Sequence, residues 1–221
     1  MADTVNEFGP LTLTTFGWVP EVARGQVRDL RIRWALEEAG LPYEVRLIDG
    51  KFRATPEYLA EQPFGQVPVL REGEVTIFET GAILLHIAER SAALMPADDA
   101  ARAHIRTWIF AALNSVETRF HVFREINKYP EAAANPAYEG ALKSVRQRLQ
   151  VLEDWLSTRD YLVGGFSAAD IMMATVLRIM NDTDIVAGFS VVQAYYEKCL
   201  ARPAFQKALA DHMAVYEEGE A

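Results

Sequence analysis

The spacing of hydrophobic and polar residues changes rhythm partway along the chain. Leu11–Phe16 alternates Leu with Thr, the period of a strand with one buried face. A loop rich in breakers, GWVPEVARG, follows. From Val27 the spacing turns helical: Val27, Leu30 and Trp34 share a face, arginines fall between them, and Gly40 is a stop. Leu41-Pro42 ends that helix and YEVRLID reads as a second strand, so strand, helix and strand suggest a parallel crossover. A short helix is expected around Pro56–Glu61. Then FGQVPVLREGEVTIFETGAILL, residues 64–85, reads as a strand, a polar turn at Arg71-Glu72-Gly73-Glu74, a strand, and a helix carrying Ile83, Leu84 and Ile87. Pro68 has no N–H, so it belongs where no ladder bond is needed or where its peptide bond is cis. Thr80 is placed to cap the helix after it, leaving the first N–H groups open to an anion.

SAALMPAD, small-residued and broken by Pro96, marks a linker at 91–97. Beyond it nearly everything is helical. Ile105, Trp108, Ile109, Ala112, Leu113, Val116, Phe120 and Phe123 trace one apolar stripe, and Leu142, Val145, Leu149, Leu152 and Leu156 trace another. Asn135-Pro136 separates the two, which predicts an antiparallel pair. In GGFSAADIMMATVLRIM, Ser167 and Asp170 form a capping-box pattern, with Asp where Glu or Gln is usual. The helix after it is almost uniformly apolar and is expected at the centre of its domain. Two more helices are predicted, over 191–200 and 203–216, with Pro203 in a first turn.

Composition narrows the function classes. With 221 residues the chain is comfortable as two domains, and 50% hydrophobic with 24% charged residues is ordinary for a globular protein with a real core. A formal charge of -9 argues against a nucleic-acid partner. Cys199, the single cysteine, excludes an internal disulfide framework. No apolar run is long enough to span a bilayer and the polar start MADTVNEFGP is not a signal peptide, so a cytoplasmic protein with no membrane partner is expected. No metal site is expected.

FGQVPVL followed by FETGAIL resembles the glutathione-binding half of the cytosolic glutathione S-transferase family. LRIRWALEEAGLPYE is similar to the usual VRIALEEAGLPYE of that family, LMPAD resembles its interdomain linker, GGFSAAD its N-capping motif, and YYEKCLARPAFQKAL its terminal helices. The resemblance runs in order over almost the whole chain. It implies an α/β thioredoxin-like N-terminal domain, residues 1–90, followed by an all-α helical-bundle C-terminal domain, residues 98–221. It also implies a cis Pro68 and a glutathione site. Val67 would offer its backbone to the cysteinyl part, as an added strand does. Thr80 and the helix start would hold the γ-glutamyl carboxylate and Glu79 the amino group. Gln66 sits where members contact the tripeptide, and Lys51 where they reach the glycyl carboxylate. Trp108, Phe120 and Phe123 would line a pocket for a small hydrophobic electrophile, though core packing explains the two phenylalanines equally well, and a homodimer is implied.

The family pattern breaks at one place. Members that act on the thiol carry a Tyr, Ser or Cys near the end of the first strand or the start of the first helix, because a free thiol titrates at about 8.5 and only the thiolate attacks well. No Tyr, Ser or Cys lies between positions 16 and 30. The serine position of zeta-like members falls on Gln26 and the cysteine position of beta-like members on Arg28. ARG at 23–25 and Arg33-Trp34 resemble alpha-class members, and in that register Arg28 falls where an arginine stands near the thiol. Arg28 is therefore the expected thiolate partner, with Trp18 or a hydroxyl of Thr14 or Thr15 beside it. Against this, Arg24, Arg28 and Arg31 form a solvated face or pair with acids. The expected activity is transferase attack of glutathione on a small electrophile. The alternative is a catalytically silent binding or interaction module, like the transferase-like domains of stringent-starvation proteins or elongation-factor gamma subunits.

Overall fold

A computed structural model describes residues 9–129 and 131–218; the polar opening segment, residues 1–8, lies outside the described residues. The described residues form two compact units, 9–90 with 203–218, and 91–202.

In the first unit, β1 (Leu11–Phe16), β2 (Tyr43–Ile48), β3 (Val69–Glu72) and β4 (Val75–Phe78) make a four-stranded sheet in the order β2-β1-β3-β4. β1 runs parallel to β2 and antiparallel to β3, and β3 pairs antiparallel with β4. The parallel pair is joined through α1 (Asp29–Ala39), the crossover that the sequence predicts. Gly40, at φ 65, closes α1 in the left-handed conformation that glycine adopts without penalty. α2 (Pro56–Glu61) leads to β3, and α3 (Thr80–Ala88) follows β4. Leu13, Ile32, Leu36, Leu70, Ile83 and Leu84 are fully buried and make the core between sheet and helices.

Two expectations for this half change. Arg31, expected on a solvated face or paired with an acid, is buried, as is Arg33. Glu72 is a buried strand residue rather than part of the turn, and Arg90 and His86 both bond its carboxylate. Each charge is taken inside by a partner, which is what makes its burial tolerable.

The second unit contains α4 (Asp99–Ala111), a π-helical segment (Ala112–Glu117), α5 (Thr118–Asn127), α6 (Tyr138–Leu156), α7 (Ala168–Leu177) and α8 (Ser190–Leu200). Every residue of α7 is buried, as its composition predicts. Its start is closed by the Ser167–Asp170 capping box, and Asp170 also accepts from Leu162 N–H and the Tyr195 hydroxyl, both at 3.0 Å. Residues 91–97, expected as a linker, include the buried Leu94 and Met95, and Leu94 C=O accepts Ala168 N–H at 3.1 Å.

The last helix, α9 (Pro203–Glu218), was expected with the helical domain and packs instead on α1 of the first unit. Phe205 meets Trp34 edge-on at 4.9 Å, and His212 Nδ1 lies 3.1 Å from Asp29 Oδ2, which also accepts Arg33 Nε at 2.8 Å. Burial alone would push Asp29 up, but His212 and Arg33 outweigh it and hold this carboxyl below its usual range.

Candidate functional site

The site grows from the end of α2, the turn into β3, and the start of α3. Tyr58, fully buried, donates its hydroxyl to Gln66 C=O at 2.6 Å and so pins the backbone just ahead of Pro68. Burial, with the Glu61 charge adding to it, pushes this phenol up to about 12, so it stays a donor at neutral pH. Gln62 Oε1 accepts the Phe64 N–H at 2.6 Å and folds the chain over Pro63. Gly65 sits at φ 60, and a Cβ there would meet Arg53 C=O at 3.0 Å, so both conformation and space require glycine. The Val67-Pro68 bond is cis. Val67 packs on the buried cluster of Ile48, Tyr58 and Val69, which leaves its backbone at the edge of the sheet core.

At the other side, Glu79 has φ 71, a left-handed conformation that costs a non-glycine residue about 1 kcal/mol or more. α3 begins immediately after it. Thr80, expected as the cap, is the first helical residue; Glu79 is the N-cap and no side chain caps this end. The turn at Glu79 already supplies the non-helical residue, so Thr80 has helical backbone and its hydroxyl is spared from capping. That hydroxyl accepts instead from Arg31 Nη1 at 3.4 Å, between two buried side chains. The first intrahelical bond runs from Ile83 N–H to Glu79 C=O at 2.9 Å, and the helical N–H groups before it lie ahead of the ladder.

Gln66, Val67, Pro68, Glu79 and Thr80 meet in one notch of about 10 Å³, which Gln62 and, from the N-cap of α1, Arg28 also line. The predicted binding residues are thus brought together, apart from Lys51. Lys51 is exposed on the turn after β2, where its N–H is held by Asp49 Oδ1 at 2.8 Å. Trp18, expected beside Arg28, lines a different groove of about 470 Å³ along β2 with Leu47 and Phe52. Thr14 and Thr15 are buried in the sheet and do not line the notch. Phe120 and Phe123 are sealed in the core of the second unit, where Phe123 packs on Tyr138 at 5.6 Å, and Trp108 stacks on Trp155 at 5.1 Å. The two phenylalanines pack the helices of that unit.

An opening of about 670 Å³ between α1, Tyr43 and α9 carries less chemistry. Its exposed cation, Lys207, is already held by Glu37 at 2.8 Å and Asp211 at 2.6 Å. The notch is small, but an uncapped helix start, a strained carboxylate-bearing residue and an arginine converge on it. That arrangement suits a ligand with a carboxylate beside an amino group.

Gln62, Tyr58 and Arg31 belong to this site and were not singled out for it from the sequence. Gln62 carries a signal in hindsight, a polar residue directly before a proline at a helix end. Tyr58 reads as ordinary core, and Arg31 reads like its neighbouring arginines, because only tertiary packing distinguishes them.

Comparison with known proteins gives a consistent result. The family described as "Glutathione S-transferase, N-terminal domain" matches residues 13–89, and "Glutathione S-transferase, C-terminal domain" matches residues 115–203. Glutathione S-transferase 4 of Zea mays is 30% identical over 214 residues, covering 87% of this chain and 89% of its own. Elongation factor 1-gamma of Prunus avium is 32% identical over 173 residues, covering 73% of this chain but only 40% of its own. In fold, a glutathione transferase from Burkholderia graminis, solved with two glutathione molecules per subunit, superposes with a TM-score of 0.77 at 24% identity, over 90% of this chain and 87% of that one.

Proposed function

We propose, for a chain that belongs to the glutathione S-transferase family, that the notch of its first unit binds the γ-glutamyl end of glutathione. The observation that carries this reading is the meeting of the cis Val67-Pro68 edge with Glu79 and Thr80 at an uncapped helix start. Val67 N–H and C=O pair with the cysteinyl unit in the manner of an added strand. The Thr80 hydroxyl and the first N–H groups of α3 take the carboxylate, and Glu79 takes the amino group. Gln66 adds a contact from the notch, and Lys51 reaches the glycyl carboxylate from its exposed turn. Similar folds solved with glutathione support glutathione as the ligand.

The reaction that follows is attack by the bound thiolate on a small hydrophobic electrophile. The sulfur lone pair forms the new C–S bond, and the leaving group departs with its electron pair. Arg28, at the start of α1 and on the notch, stabilises the thiolate by charge in place of a hydroxyl. A homodimer belongs to the same reading. Titration calorimetry with glutathione tests the binding, and an assay with a chlorinated aromatic electrophile tests the transfer. The expected results are binding and turnover, with a lowered thiol pKa in wild type that returns toward about 8.5 in Arg28→Ala. No heat of binding would overturn the reading; light scattering reads the dimer.

A second reading has its own observation. No Tyr, Ser or Cys lies between positions 16 and 30, and part of elongation factor 1-gamma matches this chain. On that reading the protein binds glutathione or a protein partner without turnover. Binding with no shift of the thiol pKa and no transfer would decide for it.

A further inference from the structure

We propose that Arg31 is a positioning residue that makes Thr80 the donor to the ligand carboxylate, and that it thereby sets the preference of the notch for ligands carrying that carboxylate. The inference rests on the glutathione reading above and adds a residue to it.

Arg31 lies in the first turn of α1, beside Arg28 at the N-cap. Cations are disfavoured at this end of a helix, where the aligned peptide dipoles present partial positive charge. A desolvated cation adds a further cost. Both costs are met here, since Arg31 is 3% exposed. Asp29, the acid of the same turn, accepts from Arg33 Nε at Oδ2, which also lies 3.1 Å from His212 Nδ1. Arg31 reaches across to α3, where Nη1 donates to Thr80 Oγ1 at 3.4 Å, at the long end for a hydrogen bond.

The chemistry of the pair decides what Thr80 does. A guanidinium is donor-only, whereas a hydroxyl has a single proton and two lone pairs. Thr80 must therefore accept from Arg31, and it keeps its proton for another acceptor. The notch that Thr80 lines is where such an acceptor enters. A carboxylate there gains a hydroxyl proton polarised by the guanidinium from which the same oxygen accepts. An uncharged group gains much less, so Arg31 acts on selectivity through Thr80 without touching the ligand.

The test compares two ligands by calorimetry: glutathione, and the analogue 4-aminobutyryl-cysteinyl-glycine, which lacks the γ-glutamyl α-carboxylate. Wild type is expected to prefer glutathione by about tenfold or more, the scale of a hydrogen bond to a charged group. Arg31→Gln is expected to lose most of that preference, by weakening glutathione while leaving the analogue unchanged. Arg31→Lys keeps the charge with less disturbance of the core, and is expected to lose part of it. In a Thr80→Val background, Arg31→Lys is expected to have no further effect on either ligand. Equal weakening of both ligands, or effects of Arg31→Lys and Thr80→Val that simply add, would overturn the role of Arg31. A wild type that binds neither ligand would overturn the glutathione reading itself, which is a separate outcome.

Discussion

At the start of α7, Ser167 and Asp170 form a capping box, and the aspartate accepts from Ser167 N–H at 2.9 Å, Ser167 Oγ at 3.0 Å, Leu162 N–H and the Tyr195 hydroxyl. At the start of α3, no side chain caps the helix, the residue before it is held at positive φ, and the nearest hydroxyl is held by an arginine from another helix. In the sequence both starts look alike, a hydroxyl residue placed to cap. The structure puts them to opposite uses. A helix end that satisfies itself contributes to folding, while an end left open at the cost of backbone strain is available to a ligand. The strain at Glu79 persists because β4 and α3 fix the chain on both sides of it.

The largest effect that separates the two ends is expected from Asp170→Ala. Removing a buried carboxylate with this many donors should cost about 3 kcal/mol in urea unfolding. The protein that remains folded should bind glutathione as wild type does. Thr80→Val should do the reverse, cutting glutathione affinity about tenfold while changing the unfolding free energy by about 1 kcal/mol or less. If Thr80→Val instead destabilises as much as Asp170→Ala, the two helix starts are both structural and the comparison collapses. Ser167→Ala removes one cap and should cost about 1 kcal/mol, with no change in ligand binding. Thr80→Ser keeps the hydroxyl and should retain most of the affinity.

A smaller effect concerns acid. Burial pushes Glu72 up, but the bonds from Arg90 and His86 on and just beyond α3 outweigh it, and its carboxyl sits below the usual range. A lowered carboxyl contributes stability that is present above its unfolded value and is lost as pH falls through the folded one. Burial raises Asp170 despite its donors, so its contribution is present below the unfolded value and weakens as pH rises through the folded one. Acidification through the carboxylate range should therefore strip hydrogen-exchange protection from α3 before α7. Loss of both together would mean that Glu72 does not anchor α3.

Much of this was legible along the chain. The strand alternation of Leu11–Phe16, the crossover, the hairpin and the capping box each depend on contacts between near neighbours in sequence. Residues 66–68 and 79–80, proposed for the site on the family resemblance, meet in one notch because one hairpin carries them all. The errors share the opposite cause. Glu72 reads as a turn residue until His86 and Arg90 meet it, and for Phe120 and Phe123, which read equally as pocket wall or core, burial decides for core. α9 looked like one more bundle helix, yet Phe205 and His212 find their partners on α1, more than a hundred residues earlier.

The sequence by itself thus determined the elements, the family pattern, and the lack of a Tyr, Ser or Cys between positions 16 and 30. Periodicity, turn chemistry and capping act over a few residues, so a linear reading reaches them. Only the tertiary structure decided that Thr80 is spared from capping, that Arg31 is buried against it while Arg28 reaches the notch, and that Trp18 faces another groove. Those outcomes turn on which buried charge finds which partner, and the arginines of one short helix are indistinguishable until packing gives each a different neighbour.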